Sequence, residues 1–427
     1  MDHAIVLACG TGFTGEDLGS CAKAYVAQVP QIKRIIINAQ RAGINKFTVC
    51  TDNDDSELKE ILKDDKRINC QIDWLENGKN KNTELASSIV IPSNILINQA
   101  SLQEFIQAAD RNGNSLSVLS TTGNGSHNSA NRNSNNTSYG LVSASGKDIE
   151  KLLKNPDLNE WIKPYVDNNS VKFVNTSAGY WMNIRNEKES INSAENLIFS
   201  TVGKTATGWI ARNINGSISL PISKHLIKTR LTPNMISVLI NVIGMLCGPF
   251  YALGHPVIGA VFMQIATVLD RCDGEVARIK LMETKKGQWV DTLSDQITVL
   301  SFIVGSSVGY YYHSGSSVPL VLGGINLFIF IFFLVWSLYF ISKYTDSGSL
   351  VAYFKVDEIV DPCDTSLIRK IIAYMRPLSR RNFYSVAFLV FAIIGGYPLV
   401  VGILTFALIL FFLHQVEDII KIHKLNR

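Results

Sequence analysis

Apolar residues are unevenly divided along this 427-residue chain. Residues 1–230 mix polar and apolar positions as a water-soluble domain does. Residues 231–420 instead hold repeated apolar runs of about 20 residues, the length a helix needs to cross a hydrocarbon core of roughly 30 Å. A backbone in hydrocarbon must satisfy its own N–H and C=O groups, so such runs restrict the second half to packed helices. Six spans are read, at about 234–252, 256–275, 288–311, 319–342, 383–396 and 399–418. Charge orients them. The turns at 252–256, 311–318 and 395–398 contain no Lys or Arg. The alternate segments hold Arg278, Lys280, Lys285 and Lys286, then Lys343, Lys355, Arg369, Lys370, Arg376, Arg380 and Arg381, then Lys421, Lys424 and Arg427. Positive charge collects on the cytoplasmic side, which predicts a multi-pass protein of the cell membrane with both termini inside.

The first 200 residues alternate strand and helix. β-rich runs at 4–10, 46–52, 68–76, 88–93 and 115–121 flank helical patterns such as 29–43 and 55–65. Alternation of this kind predicts a Rossmann-like three-layer α/β domain with a largely parallel sheet. The expected organisation is a soluble domain at 1–200, a linker with a juxtamembrane helix at 201–232, and an all-α six-helix transmembrane domain at 233–427. The polar, low-complexity stretch 122–138 reads as an inserted loop. In the linker, Lys224, His225, Lys228 and Arg230 alternate with Leu and Ile, a pattern suited to an anionic membrane surface. The triplet Thr232-Pro233-Asn234 starts a helix, with Thr232 as N-cap.

Composition excludes some partners. A net charge of +4 without a basic, aromatic-interleaved stripe gives no footprint for nucleic acid. Seven scattered cysteines without a Cys-x-x-Cys pair suit free thiols in a reducing compartment. The opening residues MDHAIVLACG lack the basic stretch and long apolar run of a signal peptide, so the first half is expected in the cytoplasm.

The chemistry concentrates in LDRCDGEVARIKLMETKKGQWVDTLSDQ, residues 269–296. Asp270 and Asp273 are spaced i, i+3 on one helix, and Asp291 and Asp295 i, i+4 on the next, so each pair shares a face. A loop of about a dozen residues lets the two faces meet at the cytoplasmic end of the second and third spans. Four carboxylates in one pocket repel unless divalent cations neutralise them. Hard cations such as Mg2+ take oxygen ligands, and two of them can clamp a transferring phosphoryl group. Gly274 leaves room beside Asp273, Ala277 permits a close crossing, and Arg278 offers a forked cation for phosphate. The residues alone also allow interfacial acids or an ion pathway. All four acids lie at one end of the bilayer without a polar ladder in the outer halves, which disfavours the pathway.

The stretch reads D-x2-D-G-x2-A-R-x8-G-x3-D-x3-D through Asp270, Asp273, Gly274, Ala277, Arg278, Gly287, Asp291 and Asp295. At every fixed position it resembles the signature of the CDP-alcohol phosphotransferases, a family of six-helix membrane enzymes. The resemblance implies that Asp270, Asp273 and Asp291 ligate two divalent ions, Mg2+ or Mn2+, with Asp295 as general base and further ligand. It also implies that Gly274, Ala277 and Arg278, with Asp270, Asp273 and Gly287, hold the CDP moiety. The implied reaction moves a phospho-alcohol from CDP-inositol or CDP-diacylglycerol to a hydroxyl of an inositol phosphate or lipid alcohol, with release of CMP. A homodimer in membrane lipid is the implied setting. Arg380, Arg381, Lys228 and Arg230 are candidates for an acceptor phosphate, and anchoring at the positive-inside face accounts for them equally.

Near the start, VLACGTGF (6–13), with Gly10 and Gly12, resembles the phosphate-cradling loop of nucleotidyltransferases, and residues 22–52 resemble that family's lysine segment, helix and second strand. The whole chain is similar to bifunctional inositol-1-phosphate cytidylyltransferase/di-myo-inositol-phosphate-phosphate synthases, which fuse the same two modules in the same order. The first module departs from that pattern. Phe13 stands where an arginine is implied, Ala22 replaces the proline before Lys23, and Asn94 and Asn183 replace metal-binding aspartates. Glu16 and Asp17 add negative charge to the loop, and Lys23 is what remains of the implied catalytic set. A degenerate nucleotidyltransferase-like domain is expected. The alternatives are a bifunctional enzyme that also makes CDP-inositol from CTP and inositol 1-phosphate, and a non-catalytic CDP-binding or ion-pathway protein.

Overall fold

The computed structural model describes residues 2–52, 55–76, 87–111, 115–121, 138–177, 179–204, 211–345, 348–350, 353 and 381–425. The chain divides into two compact units, Met1–Ile198 and Phe199–Arg427, so the segment 201–232 falls within the second.

The first unit contains strands β1 (His3–Leu7), β2 (Tyr25–Val26), β3 (Val29–Pro30), β4 (Lys46–Thr51), β5 (Gln71–Glu76), β6 (Ser88–Pro92), β7 (Ile95–Ile97), β8 (Leu116–Thr121), β9 (Ser138–Ala144), β10 (Val171–Val174) and β11 (Trp181–Asn183). Between them run helices α1 (Leu18–Lys23), α2 (Gln31–Arg41), α3 (Ser56–Leu62), α4 (Gln99–Arg111), α5 (Gly146–Lys154) and α6 (Leu158–Asp167), with α7 (Lys188–Lys204) after β11. Seven strands form one sheet in the order β10-β8-β9-β6-β1-β4-β5. Strand β1 is parallel to β4 and β6, β4 to β5, and β10 to β8, while β9 runs antiparallel to both neighbours. The expected largely parallel α/β sheet is therefore present. Residues 122–137 of the expected loop lie outside the described residues, and Ser138 already belongs to β9.

Alternation within β1 builds the layers. Ala4 and Val6 pack with Ile32 and Ile35 of α2, Leu58 of α3 and Leu102 of α4. Ile5 and Leu7 point the other way, onto Ile149 and Leu152 of α5 and Leu158 and Ile162 of α6. Helices on both faces are what a parallel sheet requires, because neither face can be left wet.

The second unit is helical. A π-turn (Ala211–Asn215) leads into α8 (Gly216–Leu226), α9 (Pro233–Met245), α10 (Cys247–Ala252), α11 (Pro256–Leu269), α12 (Arg271–Ile279), α13 (Lys285–Ser314) and α14 (Val318–Tyr344). Two further helices are Arg381–Ile394 and Gly396–Leu425. Among the described residues, Pro233–Ala252, Val318–Tyr344 and Gly396–Glu417 are long and apolar enough to cross a membrane. Thr232 caps α9, accepting from the Met235 amide at 3.4 Å, as its place before Pro233 suggests.

The first two spans read from sequence are each divided, α9 from α10 at Leu246 and α11 from α12 at Asp270. Pro249 explains the first division: it has no N–H to give the Met245 carbonyl, which accepts from the Ser301 hydroxyl of α13 instead, at 2.8 Å. Close approach makes that bond reachable. Gly244 and Gly248 on one side and Gly305 and Gly309 on the other are two small-x3-small pairs. An added Cβ on Gly305 would strike the Gly248 backbone. Thr298 donates to Asn241 Oδ1 at 3.0 Å along the same seam, and Asn326 donates to Thr405 at 3.0 Å elsewhere in the unit. This seam sets where the α13 carboxylates stand relative to α9.

Gly305→Val should therefore cost about 1–3 kcal/mol by overpacking, seen as a lower thermal midpoint of the detergent-purified protein. Gly324→Ala, where an added Cβ meets nothing within 4 Å, should leave it unchanged.

Candidate functional site

Asp270 lies at the junction of α11 and α12, Asp273 in the first turn of α12, and Asp291 and Asp295 one turn apart near the start of α13. Carboxylate oxygens of Asp270, Asp291 and Asp295 all lie within 4.8 Å of one another. Asp273 is buried and within electrostatic reach of Asp291 and Asp295. Its Oδ2 accepts from the Ser237 hydroxyl of α9, and its Oδ1 from the Gly274 amide. Those bonds aim Asp273 from two sides. Asp291 is less satisfied, because its Oδ1 is buried without a hydrogen-bond partner.

Arg381, the first residue of helix Arg381–Ile394, donates Nη1 to Asp270 Oδ1 at 3.1 Å and to Asp295 Oδ1. One guanidinium offsets one of four negative charges. The remaining charge, the orphaned Asp291 oxygen and the all-oxygen donor set fit a hard divalent ion. An octahedral ion with oxygens at about 2.1 Å places its ligand atoms roughly 3–4 Å apart. The 4.8 Å bound on the observed oxygen separations is of the same order.

The other motif residues fall around this cage. An added Cβ on Gly274 would meet Arg278 Nη2 at 3.2 Å, so the absent side chain leaves the guanidinium its place. Arg278 itself is exposed and Ala277 half-buried. The Gly287 amide donates to the Thr284 hydroxyl, which caps α13, at 3.0 Å, and an added Cβ there would meet Asn234 Oδ1 at 3.2 Å. Lys228 and Arg230 are exposed between α8 and α9. Arg380 lies outside the described residues. Two buried partners are only faintly marked in the sequence: Ser237, a hydroxyl one turn into an otherwise apolar run, and Glu275, an acid inside the motif itself.

In the first unit the Gly-rich turn is closed by its own chain. Thr11 N donates to Pro156 O (2.9 Å), Gly12 N to Glu16 O (2.9 Å), Gly15 N to Gly12 O (3.1 Å) and Leu18 N to Gly10 O (3.1 Å). Asp17 caps α1, accepting from the Gly19 and Ser20 amides at 3.2 and 3.0 Å. These amides are thereby occupied within the protein. The Glu16 carboxylate accepts from Arg185 Nε at 2.9 Å, Asn94 Nδ2 at 3.3 Å and the Thr14 hydroxyl. Phe13 is buried edge-on against Tyr139, with ring centres 5.7 Å apart. Lys23 is paired with Asp55 (2.9 Å) and Glu57 (2.8 Å), and the bonds to Glu57 and then Asp55 raise its pKa. Asn183 pairs with Ile95, the residue after Asn94, where β11 meets β7, and donates to the Tyr139 carbonyl at 2.8 Å. The neutral Asn94 amide thus meets an acid that is already paired, and the Asn183 amide is held by the β9 backbone.

Residues 230–422 match the family model described as CDP-alcohol phosphatidyltransferase, so the second unit carries that domain. Over 127 residues the chain is 32% identical to the bifunctional IPC transferase and DIPP synthase of Aquifex aeolicus, a match covering 30% of this chain and 29% of that protein. Its counterpart in Archaeoglobus fulgidus is also 32% identical over 127 residues, covering 29% and 25%. The chain thus aligns with less than a third of the length of these curated relatives. The inositol-1-phosphate CTP transferase from T. maritima aligns at 15% identity over 46% of this chain and 96% of its own, with a TM-score of 0.34. A putative glucose-1-phosphate thymidylyltransferase from Bacillus anthracis aligns at 13% identity over 50% and 96%, with a TM-score of 0.35.

Asp291→Asn removes one charge from a cluster in mutual repulsion. It should leave the chelator-treated protein as stable as the parent, or more so by about 1 kcal/mol, while weakening Mn2+ binding by at least about tenfold. Thermal unfolding with and without Mn2+ checks both signs.

Proposed function

We propose that the chain is an integral-membrane CDP-alcohol phosphotransferase with a nucleotidyltransferase-like first unit that has lost its own turnover. The convergence of Asp270, Asp291 and Asp295 within a matched CDP-alcohol phosphatidyltransferase domain carries the reading. The donor is CDP-inositol or CDP-diacylglycerol, and the acceptor hydroxyl belongs to an inositol phosphate or a lipid alcohol. Resemblance of the whole chain to inositol-1-phosphate cytidylyltransferase/di-myo-inositol-phosphate-phosphate synthases favours inositol chemistry.

Asp270, Asp273 and Asp291, with Asp295, would hold two divalent ions, Mg2+ or Mn2+. Such ions neutralise charge on the diphosphate and on the leaving CMP. Gly274 admits the diphosphate close to the backbone, with Ala277, Arg278 and Gly287 around it. Asp295 takes the proton of the acceptor hydroxyl. The acceptor oxygen attacks the phosphorus that bears the alcohol, and the bond from that phosphorus to the bridging oxygen breaks as CMP leaves. Arg381 is placed to follow the charge of an incoming phosphate, since its partners are the carboxylates themselves.

Six spans with both termini cytoplasmic make up the proposed topology, and the charge asymmetry of the turns supports it. Lys228 and Arg230 then face anionic headgroups or an acceptor phosphate at the same surface. A homodimer is the proposed assembly.

The closed loop of the first unit supports its silence as a cytidylyltransferase. A triphosphate needs free amides, a lysine and carboxylate-held metal. Here the amides named above are bonded, Lys23 is paired twice, and Asn94 and Asn183 are neutral. The CDP-activated donor must then come from a separate nucleotidyl-transfer reaction.

Asp295→Asn should retain CDP affinity within about threefold while lowering CMP release at least about 10^3-fold, the range expected for losing a general base and a ligand together. Loss of CDP affinity in parallel would assign Asp295 to binding instead. Incubation of the parent protein with CTP and inositol 1-phosphate should release no pyrophosphate above a protein-free control. Release would establish the bifunctional reading.

A further inference from the structure

Glu275 is fully buried, and the reaction above does not use it. It lies on α12, two residues beyond Asp273. Its Oε1 accepts from the Ser219 hydroxyl at 2.8 Å and from Arg271 at 3.2 Å (Nε) and 3.0 Å (Nη2). Its Oε2 accepts from the Ser223 hydroxyl at 2.7 Å. Ser219 and Ser223 stand one turn apart on α8, and both are fully buried. Cys272 Sγ adds a contact to the Ser219 carbonyl at 3.7 Å.

This is an expensive way to join two helices. A buried ion pair is often matched or bettered in stability by apolar residues of similar volume, so joining α8 to α12 does not by itself call for one. Position in the chain suggests a better reason. Arg271 immediately follows Asp270 and is two residues before Asp273. Its side chain is largely buried, where charges are poorly screened. A guanidinium released there would compete for the carboxylates that the metal reading assigns to divalent ions.

We infer that Glu275 is a positioning residue for the metal centre: held in place by Ser219 and Ser223, it keeps the Arg271 guanidinium on the α8 side of α12 and away from Asp270 and Asp273. The inference rests on the metal reading given under the proposed function. Glu275 does not ligate in this account, and acts through Arg271.

Mn2+ titration of the full chain in detergent, with free Mn2+ read by electron paramagnetic resonance, tests it without turnover. Glu275→Gln should bind Mn2+ at least about tenfold more weakly than the parent, the usual cost of losing an outer partner of a metal site. The double variant Arg271→Gln, Glu275→Gln should recover to within about threefold of the parent, because the released guanidinium is gone. Arg271→Gln alone should bind at least as tightly as the parent, which keeps the test open should Glu275→Gln fail to fold. Parent-like binding by Glu275→Gln, no recovery in the double variant, or weaker binding by Arg271→Gln would each overturn the inference while leaving the metal centre standing. A parent that binds no Mn2+ would overturn the metal centre and this inference with it.

Discussion

Mutual repulsion among four carboxylates is the constraint around which the second unit is arranged. Unfolded, those groups separate into water. Folded, they are held together at the ends of α11, α12 and α13, where burial strengthens every electrostatic interaction. Helix packing must supply that work. The glycine seam between α9–α10 and α13 sets the spacing, Ser301 satisfies the carbonyl that Pro249 leaves open, and Thr284 caps the helix that presents Asp291 and Asp295. Ser237 and Arg381 then take some of the negative charge. The Asp291 oxygen without a partner marks where that compensation stops.

The first unit handles similar materials in the opposite way. Its loop also carries acids, yet Glu16 is met by Arg185 and Asn94, Asp17 caps α1, and Lys23 is bound by Asp55 and Glu57. Charge there is balanced within the protein, which leaves little for a phosphate to gain by binding. In the second unit charge is concentrated and incompletely balanced, which favours metal ions and the anions that follow them. The contrast separates a loop whose charges are balanced within the protein from a carboxylate cluster whose charges are not.

Much of this was visible in residue order because the governing periods are local. The five strands read from alternating or β-rich runs all lie in the main sheet, and Thr232 caps α9 as its place before Pro233 suggests. Strands β9 and β10 escaped because β9 emerges from a low-complexity stretch and β10 is four residues long with two exposed positions. At the acidic motif, Asp291 and Asp295 share α13 as their spacing suggests, whereas Asp270 sits at the junction before α12 and Asp273 in the first turn of that helix. Partners distant in sequence were illegible: Arg381 reaches Asp270 across 111 positions, and Glu275 meets Ser219 across 56. Such contacts depend on helix crossings, which no local period encodes. The break at Leu246 was hidden for a related reason, since the apolar run continues through it.

The most direct measurement is CMP formation by the purified chain from CDP-inositol and from CDP-diacylglycerol, each with inositol phosphates and lipid alcohols, before and after divalent ions are chelated and restored. A carboxylate cage that works through metal ions predicts CMP from one donor, loss with chelator and recovery with Mg2+ or Mn2+. CMP formation that persists without divalent ions, or none from either donor with Mg2+ and Mn2+ present, would contradict the account.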